Sequence, residues 1–301
     1  MEELLKKDIV TTADFFAAYP GVPAPTVYSK IRKLVKTGAL QVIGKGRYTT
    51  IPKLRYKPEI TPWMRQVANL LKEQCMGVNF CITNQGPNLQ LEVDKADLNH
   101  VREVLLDNGC KVLDRKEASK SPVPPEGYII IGPYITEMPV LDEGNIAVPS
   151  LEKAIVDSYL AGALTQFDFQ KTAEAYAINF NSLLRYASRR GVELEVKAMV
   201  EALNQERIKM FAAIQKFFRN SAVTRAWVFG SFSRGEETSE SDVDLLVDYD
   251  KLPHFTLLDI IQYSLDIKKQ IKRDVDLIEN GHLRSFAVES ANRDKYLIYE
   301  R

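Results

Sequence analysis

The chain has 301 residues, too many for one small core and a fit for two or three domains. Its 45% hydrophobic and 27% charged content is that of an ordinary soluble globular protein, and a formal net charge of zero leaves overall charge silent about partners. Cys75, Cys81 and Cys110 lack zinc spacing and read as free thiols of a reducing cytoplasm. No early apolar segment follows a basic start, and no apolar run reaches the ~18 residues of a membrane span. A signal peptide and a membrane partner are therefore not expected, and a cytoplasmic location is.

Three regions follow in chain order, 1–57, 58–222 and 223–301. In the first, "TTADFFAAYP" reads as a short helix capped by Thr11 or Thr12 and stopped by Pro20. "PAPTVYSKIRKLVKTG" reads as a second helix, opened by Pro25 and closed by Gly38, with Val27, Ile31, Leu34 and Val35 on one face. "LQVIGKGRYTTI" alternates like a small hairpin turning at "GKG". Helix, helix, hairpin in this order resembles a winged helix-turn-helix. No acidic residue occurs from Phe15 to Pro58, whereas basic residues are frequent. Such a surface is the footprint of a phosphate-binding module. Lys30, Arg32, Lys33, Lys45 and Arg47 are the candidate DNA or RNA contacts. The competing reading is a module that only docks against the rest of the chain.

The middle region mixes α/β and helical patterns. "ITPWMRQVANLLKEQ" reads as a helix, "GVNFCITN" and "LQLEV" as strands, and "KADLNHVREVLLDNG" as a helix closed by Gly109. "CKVLD" and "YIIIGPY" read as strands on either side of the proline-rich "KSPVPPEG". From "PSLEKAIVDSYLAG" the pattern is helical, running through "FDFQKTAEAYA", "FNSLLRYASRRG", "LEVKAMVEAL" and "QERIKMFAAIQKFFRN". Nothing here has catalytic spacing. His100 reads as a surface or capping residue, and Phe211, Phe217 and Phe218 as packing. The basic N-terminal module together with "VPSLEKAIVDSYL" resembles antitoxins of abortive-infection systems of the AbiE kind.

In the third region, "TRAWVFG", "SDVDLLVDY" and "DVDLIE" read as strands. "FTLLDIIQYSLDIKKQIK" reads as a helix with Leu258, Ile261 and Leu265 at helical spacing, and the tail as helical or irregular. Alternation puts Asp242 and Asp244 on one face and Val243 and Leu245 on the other. Two adjacent carboxylates repel, and a hard divalent cation removes that penalty. Asp276 adds a third acid if its strand lies alongside. Gly230 lets the backbone approach a ligand, and turn amides, the Ser231 hydroxyl and Arg234 can meet phosphate oxygens. There is no Gly-Lys-Ser or Gly-Lys-Thr, which argues against a P-loop ATPase. A calcium loop built on Asp248 and Asp250 lacks the glycine and closing glutamate of an EF-hand.

Gly230-Ser231, ten residues, then Asp242-Val243-Asp244 resembles the signature of DNA polymerase β-like nucleotidyltransferases, in their minimal form. "GSFSRGEETSESDVDLLV" fits that pattern throughout, including Arg234-Gly235 and Ser241-Asp242, and "ESANRDKYLIYER" resembles the minimal domain's ending. The expected fold class is thus α+β multidomain: an N-terminal winged helix-turn-helix, a middle α/β and helical region, and a C-terminal polymerase β-like domain.

The resemblance implies Mg²⁺ (or Mn²⁺) on Asp242, Asp244 and Asp276. It implies an NTP, ATP by expectation, held at Gly230, Ser231, Arg234 and Ser241, and NMP transfer to a protein or RNA hydroxyl with pyrophosphate release. The implied setting is a toxin-antitoxin or phage-defence system. Its partners would be a HEPN-type toxin or a tRNA acceptor, with DNA bound for autoregulation. Two alternatives stand beside it: a non-enzymatic, nucleotide-sensing DNA-binding regulator, and a small-molecule (antibiotic) nucleotidyltransferase.

Overall fold

The structure, a computed structural model, describes residues 2–118, 120, 126–144, 146–250 and 256–301. It divides into two compact units. One gathers 1–55, 164–181 and 198–301, and the other 56–163 and 182–197. The proline-rich stretch 121–125 lies outside the described residues.

The N-terminal segment runs α1 (Glu2–Lys6), β1 (Ile9–Thr11), α2 (Thr12–Ala18), α3 (Ala24–Lys36), β2 (Gln41–Gly44) and β3 (Arg47–Thr49). Thr11 caps α2 in a reciprocal box with Asp14, satisfying amides the helix cannot reach itself. Pro25 sits in the first turn of α3, and Gly38 follows its end at a φ of 76°. The hairpin turns at Lys45-Gly46, and β1, absent from the sequence expectation, joins it in the order β1-β3-β2. Val10, Phe15, Val27, Ile31 and Leu40 are buried between helices and sheet.

The second unit begins with α4 (Pro62–Gln74), β4 (Phe80–Gln85), β5 (Asn88–Val93), α5 (Leu98–Asp107), β6 (Lys111–Asp114) and α6 (Arg115–Ala118). It continues through β7 (Tyr128–Pro133), β8 (Val140–Asp142), β9 (Ala147–Pro149) and α7 (Leu151–Leu160). The sheet order is β4-β5-β7-β6, with Ile82, Leu89, Leu91, Ile129 and Ile131 buried against α4 and α5. His100 is exposed in the first turn of α5. Next in the chain come α8 (Gln166–Ala175), α9 (Phe180–Arg189), α10 (Glu193–Glu201) and α11 (Gln205–Arg219), of which α8 and α11 belong to the first unit. Ser150, Thr165 and Asn204 cap α7, α8 and α11, each accepting a backbone amide three residues on.

The C-terminal segment runs β10 (Val223–Phe229), α12 (Gly230–Arg234), β11 (Val243–Tyr249), α13 (Leu257–Ile271), β12 (Val275–Glu279), α14 (Ser285–Asp294) and β13 (Tyr296–Glu300). Its sheet order is β12-β11-β10-β13, and only the β11–β12 pair is parallel. Val243, Leu245 and Val247 pack on one face with Phe211, Ile214 and Phe218 of α11 and Ile267 of α13. Leu246 faces the other way, with Phe229 and with Ala291 of α14. The aromatic residues of α11 are therefore packing, as expected.

Three expectations change. The tail, expected to be helical or irregular, is a helix that continues into an edge strand, because β13 satisfies the open backbone groups of β10. "GSFSR", expected to be a turn or loop between two strands, is one turn of helix. On α13 the stripe Leu258, Ile261 and Leu265 is 74%, 48% and 47% exposed, while Ile260 and Ile267 enter the core. Helical spacing was right, but the face turned inward is rotated from the one the sequence suggests.

Candidate active site

The site is built where the apolar run of β10 ends. Phe229 is its last residue, and Gly230 opens α12 at a φ of +70°, a conformation L side chains rarely adopt. A second constraint is steric. A Cβ on Gly230 would stand 2.1 Å from Asp244 Oδ2, so only glycine lets the backbone lie against that carboxylate. Ser233, almost fully buried, donates from Oγ to Gly230 O at 2.8 Å and closes the turn. Gly235 ends the helix at a φ of +73°, and a Cβ there would meet the Phe167 ring at 2.8 Å.

Strand register brings the acids together. Phe229 pairs with Asp244 across β10–β11, and Asp244 pairs with Asp276 across the parallel β11–β12. Val243 and Leu245 are fully buried on the opposite face, which leaves Asp244 on the face of Leu246. Asp274 is excluded: its side chain is mostly exposed and paired with Lys268. Burial, and after it the charges of Asp276 and Asp242, push the Asp244 carboxyl up to about 6, with Arg234 opposing. A carboxyl raised by like-charged neighbours in this way favours a cation.

The residues fit a divalent cation in donor chemistry. They do not form a closed cage: among the described residues no three His, Cys, Asp or Glu side chains are gathered tightly enough to hold an ion alone. The two observations agree physically. Mg²⁺ usually keeps waters and takes phosphate oxygens beside one or two carboxylates.

Arg234 stands near the acids but is engaged, with Nε donating to Glu236 Oε2 at 2.7 Å and Nη1 3.6 Å from Asp294 Oδ2. Ser231 lies in the first turn of α12, half-buried. Ser241 precedes Asp242, and its Oγ accepts from Thr238 N at 2.9 Å. Ser233, Arg207 and Arg273 are residues that motif spacing did not reveal. An arginine just before the third acidic strand was the available hint for Arg273. Arg207, in α11, carried no local signal.

Of the five basic candidates, Arg32, Lys33, Lys45 and Arg47 are exposed, whereas Lys30 is half-buried with Nζ 5.0 Å from the Tyr19 ring centroid. The hairpin tip is docked: Lys45 N donates to Asn181 Oδ1 at 3.0 Å, and Gly46 O accepts from Thr12 N. Arg32 and Lys33 on α3 remain open. No helix of the described residues is long and apolar enough to cross a membrane.

A family of unknown function (DUF6577) matches residues 26–206, and the family "Polymerase beta, Nucleotidyltransferase" matches 212–301. Protein adenylyltransferase MntA of Thermococcus cleftensis is 36% identical over 67 residues, 22% of this chain and 66% of that protein. A putative protein adenylyltransferase of Methanocaldococcus jannaschii is 43% identical over 75 residues, 24% of this chain and 71% of its own length. A crystal structure of a toxin-antitoxin with AMP-PNP is 18% identical, covering 30% of this chain and 72% of that one, at a TM-score of 0.26. A tri-AMPylated Shewanella oneidensis HEPN toxin in complex with MNT antitoxin is 14% identical, covering 32% and 73%, at 0.25. The chain therefore belongs to the DUF6577 family of unknown function, and its C-terminal part is a nucleotidyltransferase domain of the polymerase β family.

Proposed function

We propose that the chain moves a nucleoside monophosphate, AMP from ATP, onto a hydroxyl of a partner protein as one member of a toxin-antitoxin pair. The observation that carries this is Asp244 lying in register with Asp276, beside Asp242, against a glycine that admits no side chain. The curated relatives, named protein adenylyltransferases, support a protein acceptor.

Asp242 and Asp244, joined by Asp276, would hold Mg²⁺ or Mn²⁺, which supplies charge neutralisation on the triphosphate. The turn at Gly230 and Ser231, with Ser241 and Arg234, positions the phosphates. Arg234 must then exchange Glu236 for a phosphate oxygen. The acceptor O–H attacks the α-phosphorus, its bond to pyrophosphate breaks, and Asp276 draws the hydroxyl proton. Positioning and electrostatics carry the rate.

In the same reading residues 1–57 form a winged helix that contacts operator DNA through Arg32 and Lys33. Residues 58–222 form the middle region and 223–301 the transferase. A HEPN-type toxin is the partner to test first.

The test is transfer of label from α-labelled ATP to such a partner. Asp244→Asn should lower the rate by about 10²–10³-fold, as removing one electrostatic stabiliser does elsewhere. Transfer at the wild-type rate would refute the assignment. Binding of ATP without any transfer would favour a nucleotide-sensing regulator instead, and label removed by ribonuclease would mean an RNA acceptor.

A further inference from the structure

Two arginines remain that the transfer reading does not use, and both grip the same segment of the site. Arg273 follows α13. Its Nη1 donates to Thr238 O and to Ser241 O, each at 2.7 Å, and its guanidinium stands 5.3 Å from the Phe232 ring centroid. Arg207 comes from α11, outside the stretch that matches the nucleotidyltransferase family. It is only 6% exposed, its Nη2 donates to Phe232 O at 2.7 Å, and its Nη1 binds Glu237. Its guanidinium also stands 5.3 Å from the Phe232 ring centroid.

Arg207 is itself fixed from behind. Glu174 of α8 is fully buried and accepts from Arg207 Nε, from Tyr296 Oη at 2.6 Å and from Gln170 Nε2 at 2.7 Å. Gln215 Nε2 holds the Glu174 carbonyl at 2.9 Å. Burying this many polar groups is tolerable because the charges are paired, although Gln215 Oε1 has no hydrogen-bond partner among the described residues, and such a network favours one geometry. Phe167 of the same helix α8 fills the space over Gly235.

The segment so held, 235–241, joins the Gly-Ser turn to Asp242. It has little apolar anchorage of its own: Glu236 and residues 238–240 are exposed. Besides its own local hydrogen bonds, the segment between the turn and the acids is met by both guanidiniums. They border a cavity of about 380 Å³ behind the loop, lined also by Phe232, Glu237, Thr238 and Ile271.

We propose that Arg273 and Arg207 are positioning residues of the transfer site, clamping the 235–241 loop so that Ser241 and Asp242 face the Gly230 turn at a set distance. The proposal rests on the transfer reading, so its test includes a readout that needs no nucleotide. Displacing a reacting group by about an ångström can cost ~10²-fold in rate, which is the scale such a clamp protects.

The experiment uses the full chain as wild type, Arg273→Ala, Arg273→Lys and Glu237→Gln. Arg273 is half-buried and Glu237 lies in the loop, so neither change opens the core. Hydrogen exchange is followed in 236–242 without ligand, and AMP transfer is measured from labelled ATP. In Arg273→Ala the loop amides should exchange about tenfold faster or more while strands 243–247 and 275–279 keep their protection. The ratio kcat/KM should fall by about 10²-fold, more through kcat than KM. Arg273→Lys should recover part of the loss, because a lysine ammonium can donate to the same carbonyls but lacks the planar guanidinium that stands over the Phe232 ring. Glu237→Gln should loosen the loop less. Unchanged loop exchange in Arg273→Ala overturns the proposal whatever the transfer rate. A wild type that transfers nothing, with loop exchange responding as expected, overturns the transfer reading and leaves the clamp standing.

Discussion

The two compact units each hold a carboxylate cluster, and the charge-paired cluster of the second contrasts with the acids around Asp244 in the first. In the second unit, Glu92 and Lys153 are both fully buried, 2.9 Å apart. Lys153 also binds Asp157, which Arg190 meets at 2.6 Å and Tyr186 at 3.0 Å, while Arg115 reaches Glu92 at 2.8 Å. Burial pulls Lys153 down, but Glu92 and Asp157 outweigh it and hold the ammonium above its ordinary range. In the first unit, Asp244 is half-buried among Asp242 and Asp276, and only Arg234 opposes the repulsion. A compensated cluster is complete as it stands and serves stability. One left with like charges has an unmet demand for positive charge.

That contrast can be broken from either side. The largest expected effect is Lys153→Met. It leaves Glu92 buried without its partner and should cost about 3–5 kcal/mol in urea unfolding. A loss under about 1 kcal/mol would mean the cluster is wetter than it looks.

A smaller effect of opposite sign is expected at Asp244. Its carboxyl titrates near 6 in the folded chain, against an ordinary 3.8, so the folded state holds the proton more tightly. Stability from this group is complete below about pH 4 and is lost as pH rises through about 6. Without a divalent cation, Asp244→Asn should therefore be more stable than wild type at pH 7.5, by about 1 kcal/mol after discounting for partial exposure, and equal near pH 4. Urea midpoints across that range would show it. Added Mg²⁺ should narrow the gap by stabilising wild type alone.

The smallest effect concerns charge that is neither buried nor compensated. Lys33→Ala on α3 should leave folding within about 0.5 kcal/mol of wild type. If the DNA reading holds, it should weaken binding similarly across sequences and reduce the salt slope by about one. A salt slope unchanged in Lys33→Ala and Arg32→Ala would count against α3 as the contact face.

Much of the site was legible before any coordinates. Gly230 and Ser231, the ten-residue spacing, and the alternation of Asp242, Val243, Asp244 and Leu245 report local backbone geometry, which neighbours in sequence impose on one another. Val27 and Ile31 on α3, a cap at Thr11 or Thr12 and the hairpin turn at Gly44-Lys45-Gly46 were readable for the same reason.

Long-range partnership was not readable. Periodicity says that a face is apolar, not what covers it, so Leu258, Ile261 and Leu265 of α13 were indistinguishable from core. Nor does any local pattern say that α8 and α11 will pack with the C-terminal sheet and bring Glu174 and Arg207 to Phe232.

By itself, then, the sequence determined the strands, the turn and which acids share a face, because side-chain direction follows from backbone period. The family resemblance had already named Asp276, but the register that pairs it with Asp244, and which distant arginines meet the loop between, came only from the tertiary structure. Those choices depend on strand register and helix docking, set by burial summed over segments far apart in the chain.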